Sequence, residues 1–254
     1  MKGFLSLPKR EEKPRESGIT HVLDRGLGLN AVEDMLNTSG DYIDIVKLGW
    51  GTGYITQRTE KKVELYQEHR IPVCFGGTLL EVAIAQGKFN DCLSWLNDMG
   101  VTHIEVSNGT ISLDLKEKLS YIQRLRESNF TVLSEIGRKN PDEVFPTTEW
   151  VECIKKELEV GAWKVITEAR ESGTVGIYSS DKKVKEALIA AIAEEIPIDK
   201  LIFEAPDKSQ QVWFIKRFGS NVNLGNIPSA EVIPLETLRL GLRGDTLIQF
   251  LQSE

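Results

Sequence analysis

Cysteine, histidine and aromatic side chains are all scarce in this 254-residue chain, which has three Cys, three His and 7% aromatics. Cys74, Cys92 and Cys153 are odd in number and show no C-x-x-C spacing, so neither a disulfide framework nor a thiolate zinc site is indicated. We read all three as reduced, with Cys74, between Val73 and Phe75, in a buried strand. The histidines stand outside any Ser/His/Asp or Cys/His arrangement: His69 falls at a helix end, His21 and His103 early in strands. No apolar run approaches the ~18 residues that a membrane span needs. The opening MKGFLSLPKREEKPRES lacks the apolar core of a secretory signal. A cytoplasmic location without a membrane partner is therefore expected. An excess of basic residues is missing too. The net charge of −7 disfavours nucleic acid as a partner, and the short clusters Lys61-Lys62 and Lys182-Lys183 read as solvated helix faces.

Strand-like and helix-like segments alternate along the whole length. Strands are predicted at 19–24, 43–48, 71–75, 102–106, 130–136, 163–168, 200–204 and 220–224. Amphipathic helices are predicted over Thr59–His69, Leu113–Ser128, Glu149–Val160 and Lys182–Glu195. A helical pair is expected over Leu79–Ala85 and Phe89–Met99, and a last helix over Thr237–Leu251, softened at Gly241 and Gly244. Gly100, Gly161 and Gly219 fall where helices should stop. The strand runs are apolar on both parities, as in parallel strands covered on both faces. Eight βα units with short connections make an α/β protein with a single (β/α)8 TIM barrel over residues 1–254, residues 1–17 forming a polar N-terminal extension. A doubly wound open sheet competes, but its dinucleotide fingerprint is poor: the GxG of DRGLGLN has no acid closing the second strand.

Within this frame one pattern recurs: a carboxylate closes a short apolar run. Asp24 ends ITHVLD, Glu105 lies in HIEV, and Glu135 ends TVLSE. Glu168 ends KVITE, Glu204 ends LIFE, and Lys47 closes IDIVK in the same way. A buried unpaired carboxylate costs several kcal/mol, so such repetition is not accidental. In a barrel the C-terminal strand ends share one mouth. An oxygen-rich mouth suits Mg2+, which commonly takes only one or two carboxylates. Asp24, Glu105, Glu135, Glu168 and Glu204 are thus more acids than one ion needs, and some should pair with Lys or Arg. Two glycine-rich turns suit an anion, Gly76-Gly77-Thr78 after the third strand and Gly225-Asn226 after the eighth. Arg170, after the sixth, is a further anion ligand, and Lys47, Lys139 and Lys164 are the lysine candidates.

At this point the motifs KPRESGITHVLDRGLG, DYIDIVKLGWGT, FGGTLLEVA, IEVSNGTI, EIGRK, ITEARESGTVGI, FEAP and NVNLGNI, followed by LETLRLGLRGDTL, resemble the phosphosulfolactate synthase family from about Lys13 to Leu247. The resemblance implies a Mg2+-dependent enzyme that adds sulfite to phosphoenolpyruvate, giving (2R)-2-O-phospho-3-sulfolactate, the opening of coenzyme M biosynthesis or a route to sulfolactate. It implies Lys139 as proton donor, with Lys47 or Lys164 meeting sulfite or the carboxylate. Metal would go to Glu105, Glu135 and Glu168, with Glu204 and Asp24 in reserve. Phosphate would go to Arg170 and the Gly225-Asn226 turn, with Gly76-Gly77-Thr78 in support. Two alternatives stay open: a homologue with lost or altered activity, as in plant relatives linked to heat tolerance, and a barrel lyase or aldolase acting on another phosphorylated three-carbon acid. Oligomeric state is left open, a homo-oligomer included.

Overall fold

The structure, a computed structural model, describes residues 3–111, 113–137, 145–169 and 174–251. Short aliphatic runs form β1 (Thr20–Asp24), β2 (Ile45–Leu48), β3 (Val73–Phe75), β4 (His103–Val106), β5 (Thr131–Ile136), β6 (Lys164–Thr167), β7 (Leu201–Glu204) and β8 (Leu224–Pro228). Each strand pairs in parallel with its sequence neighbours, and β8 closes on β1. Parallel neighbours require a crossover, which the intervening helices supply. The protein is a (β/α)8 TIM barrel, as its alternating pattern predicts.

Local chemistry sets the helix ends. Asp114 accepts the Glu117 N–H at 2.8 Å while the Glu117 side chain accepts the Asp114 N–H at 3.0 Å, so helix Leu115–Glu127 starts in a capping box. Gly100 and Gly161, both at positive φ, end the helices before β4 and β6. Three boundaries differ from expectation. The helix predicted from Lys182 begins at Glu186, because Tyr178 and Val184 form an antiparallel bridge ahead of it. The C-terminal helix is two pieces, Val232–Arg239 and Leu247–Leu251, broken where Gly241 takes φ +68°. The last strand begins at Leu224 rather than 220, so Gly225 and Asn226 lie within β8 rather than in a turn after it.

Side chains alternate between two environments. One face of each strand packs outward against the helices, as Val22, Val46 and Val73 do. The other fills the barrel, where Ile19, Ile45, Cys74, Leu133, Ile166 and Ile202 form one apolar layer. Two residues further along the same face stand Lys47, Glu135, Glu168 and Glu204. The period of a strand thus lifts a charged layer directly above the apolar one. Below it the barrel is closed by the N-terminal segment. Arg10 ion-pairs Glu236 at 2.9 Å, Arg15 pairs Asp44 at 2.9 Å, and the Glu16 carbonyl accepts from Lys164 at 2.9 Å.

His21 sits in the barrel interior at 0% exposure, and neither ring nitrogen has a hydrogen-bond partner. Burial, with Lys47 adding to it, pushes its pKa down to about 3. The folded protein therefore refuses a proton that the unfolded chain accepts below about 6.5, and stability should be lost as pH falls through that window. An apolar replacement removes this liability without orphaning a partner. We expect His21→Leu to raise Tm more at pH 5 than at pH 8, and an equal effect at both would show that His21 does not cause the acid sensitivity.

Candidate active site

Lys47 organises the mouth. It reaches from β2 with its ammonium buried, 2.9 Å from Glu105 Oε2 on β4, 3.4 Å from Glu204 Oε1 on β7 and 3.8 Å from Glu135 Oε2 on β5. Burial opposes the charge on this lysine, but the three carboxylates outweigh it and raise its pKa well above normal. Glu105 is also buried, yet Lys47 and the Gly77 N–H, which donates to Oε1 at 2.8 Å, hold its pKa below the usual carboxylate range. Glu204 has both oxygens engaged, one by Lys47 and the other by the Ala169 N–H at 2.8 Å. Burial still prevails there, aided by Glu135 and Glu105, and pushes its pKa up to about 7. Glu168 stands beside this group just past β6, its N–H donating to the Ile136 carbonyl at 2.9 Å.

These side chains line a cavity of about 330 Å3 at the C-terminal ends of the strands, together with Gly76, Gly77, Thr78 and Asn226. Nine residues singled out from sequence therefore converge: Lys47, Glu105, Glu135, Glu168, Glu204, Gly76, Gly77, Thr78 and Asn226. Gly225 lies just inside them, with Ile202 and His21 so close that a side chain there would crowd both. Lys139 and Arg170 fall outside the described residues. Leu23, Gly49, Trp50 and Thr110 also line the cavity, and no charge pattern marked them.

Three expectations are corrected. Asp24 ends β1 on the opposite parity from Leu23, so it points outward to helix Thr59–Glu68. There its Oδ2 meets Lys62 Nζ and Tyr66 Oη, each at 3.0 Å, and Oδ1 takes the Gly26 and Leu27 N–H groups. It is a structural acid rather than a metal ligand at the mouth. Lys62, read as part of a solvated face, is only 2% exposed and belongs to that ion pair. Lys164 begins its strand at the far end of the barrel, bonding the Asp199 carbonyl at 2.7 Å and stacking its ammonium 4.6 Å from the Trp163 ring. The depth of the barrel separates it from the mouth.

A further acid was missed. Glu81, 1% exposed on helix Gly77–Ala85, accepts the Ser107 hydroxyl and the N–H groups of Thr110 and Ile111, both at 2.7 Å. It fixes the loop after β4 and so places Thr110 over the cavity. Its only signal in sequence is a charge inside the apolar run LLEVA.

Glu204 makes the mouth sensitive to pH. A folded-state pKa raised above about 4.5 means that the folded protein holds a proton the unfolded chain has lost, so this group's contribution to stability falls as pH rises from about 4.5 to 7. Glu204→Gln should therefore gain in Tm relative to wild type across that window and then level off. A constant difference from pH 4.5 to 8 would rule out titration of Glu204.

With this geometry in hand, comparison with known proteins is direct. The family model for (2R)-phospho-3-sulfolactate synthase (ComA) matches residues 8–245. Phosphosulfolactate synthase of Bacillus subtilis is 46% identical over 95% of this chain and 97% of its own length. The enzyme of the same name from Methanocaldococcus jannaschii is 45% identical, covering 91% of this chain and 94% of its own. Among solved structures, the YdjI aldolase of Escherichia coli K12 superposes with a TM-score of 0.55 at 12% identity, covering 84% of this chain and 75% of its own, a likeness of fold alone. The chain belongs to the phosphosulfolactate synthase family, a family of enzymes.

Proposed function

We infer that the protein catalyses Mg2+-dependent addition of sulfite to phosphoenolpyruvate, forming (2R)-2-O-phospho-3-sulfolactate. The observation that carries this reading is the buried Lys47 held among Glu105, Glu135 and Glu204 at the mouth of a barrel from this family. In the reaction, the sulfur lone pair of sulfite forms a bond to C3. The C2–C3 π electrons move toward the carboxylate as an enediolate-like charge, and a proton delivered to C2 completes the addition. Stabilising that transient charge with prearranged positive groups is the main demand on the protein. Lys47 is already fixed in place for it, so no reorganisation is needed as the charge develops. Lys139 remains the proposed proton donor to C2.

The donor set fits magnesium. Glu105 and Glu204 each place both oxygens on Lys47 and a backbone N–H group. Glu135 and Glu168, which line the cavity from the ends of neighbouring strands, are the residues proposed to hold the ion. Among the described residues no three acids, histidines or cysteines form a cage of their own. Mg2+ does not require one, since it keeps waters and takes oxygens from a phosphorylated substrate. When bound, the ion supplies positive charge against the developing enediolate. Four glutamates and one lysine also leave the described mouth net negative, so an anionic substrate needs further cations to enter. Arg170 is proposed for the phosphate, and a cytoplasmic setting is the expected one.

Purified protein given phosphoenolpyruvate and sulfite should form phosphosulfolactate by mass spectrometry with Mg2+ and none with EDTA. A folded protein without product would reject the reading. Glu135→Gln and Glu168→Gln should each raise the Mg2+ concentration for half-maximal rate at least tenfold. Asp24→Asn should leave that concentration unchanged while lowering Tm, since it strands buried Lys62. Equal Mg2+ dependence in all three would reject the metal assignment.

A further inference from the structure

The mouth is divided by charge. All four of its carboxylates stand on β4 to β7, whereas the side running from β8 through β1 to β3 presents Asn226, Leu23, Gly49, Trp50 and the Gly76–Thr78 segment. Among the described residues lining that side only Lys47 is charged, and it leans across to the acids. Two residues of the uncharged side take left-handed backbone conformations, Trp50 at φ +53° and Asn226 at φ +53°. The other non-glycine residues at positive φ among those described sit at helix ends or in a turn. Strain of this kind persists where the surroundings enforce it, and it concentrates at ligand sites.

The cause at Asn226 is visible in the pairing of β8 with β1. Thr20 pairs with Leu224 but Val22 pairs with Ile227, so β8 carries an extra residue opposite His21. A bulge of this type re-aims a side chain. Here it turns Asn226 into the cavity although Gly225, its neighbour, already faces the barrel interior beside His21 and Glu204. Asn226 is only 6% exposed, and its Oδ1 is buried without a hydrogen-bond partner. A buried carboxamide oxygen left unsatisfied is costly, and no described residue fixes which end of the amide faces the cavity. An uncharged donor of this kind suits an oxyanion, which the acids on the other strands would repel.

We propose that Asn226, aimed by the β8 bulge, binds the oxyanion head of a substrate on the uncharged side of the mouth, with the Thr78 hydroxyl and the Trp50 indole N–H as fellow donors. The oxyanion is the sulfite or the phosphate of the enol phosphate, and the inference rests on the reaction proposed above. The bulge then trades stability for binding. Glycine at 226 relieves the left-handed backbone and removes the unsatisfied amide, so Asn226→Gly should keep or raise Tm while weakening the oxyanion. Asn226→Asp keeps the shape and places a negative charge against it.

Sodium sulfite, inorganic phosphate and phosphoenolpyruvate should each be titrated calorimetrically into wild type and both variants, with KM measured for each substrate. The expected result is a loss of at least tenfold in affinity and KM for one oxyanion in both variants, with Tm of Asn226→Gly unchanged or higher. Loss confined to sulfite places the nucleophile there, whereas loss for inorganic phosphate and phosphoenolpyruvate together places the phosphate. Affinities within twofold of wild type for all three, or a lower Tm in Asn226→Gly, would overturn the proposal. Absence of product from wild type would instead reject the reaction, and it is read separately from binding.

Discussion

The constraint on which the mouth depends is the burial of one ammonium among three carboxylates. Lys47 is 4% exposed, Glu105 3% and Glu204 1%, so each alone would carry a large desolvation penalty. Together they compensate, and Gly77 and Ala169 supply N–H donors to the oxygens that the lysine leaves over. Removing one partner of such a group leaves an uncompensated buried charge, at a cost of about 3–5 kcal/mol. The cluster therefore joins β2, β4, β5 and β7 across the barrel and fixes the geometry of the mouth before any ligand arrives. Prearrangement of this kind is what a reaction through a transient enediolate-like charge requires.

A second set of buried charges does different work. Asp24 with Lys62, and Lys118 with Glu157 at 2.7 Å, lie between barrel and helices rather than inside the barrel. Lys118 also donates to the Glu135 carbonyl at 2.6 Å, so a helix outside the barrel steadies the strand end that presents a glutamate to the mouth. Glu81 acts in the same way on the loop after β4. The inner charges face the cavity, and the outer ones hold the backbone that carries the inner ones.

The fold was legible because it rests on period and rhythm. Short apolar runs, helices between them and glycine stops at Gly100 and Gly161 admit few architectures. Much of the mouth was legible for a related reason: a carboxylate closing an apolar run must be compensated, and strand ends of a barrel converge. Parity was the missing information. Asp24 and Glu204 look alike in sequence, yet one faces a helix and the other the barrel interior, and only the register that sets Leu23 beside Lys47 decides between them. Lys164 failed for another reason, since it opens its strand where the acids close theirs. The loop residues Trp50 and Thr110 were illegible because their approach to the cavity depends on backbone conformation and on Glu81, neither of which leaves a periodic trace.

The uneven charge of the mouth also bears on how an anion enters it. Glu204 titrates near neutrality because burial and its acidic neighbours oppose Lys47. An oxyanion bound nearby adds to that opposition and favours the protonated carboxyl further, so binding and proton uptake are linked at this group. Its ionised form leaves Lys47 well compensated. Protonation of Glu204 would withdraw one negative charge from the lysine and leave more of the ammonium's field for a bound anion. The same three glutamates that make Lys47 tolerable in the interior thus include one able to release it when charge compensation passes to the ligand.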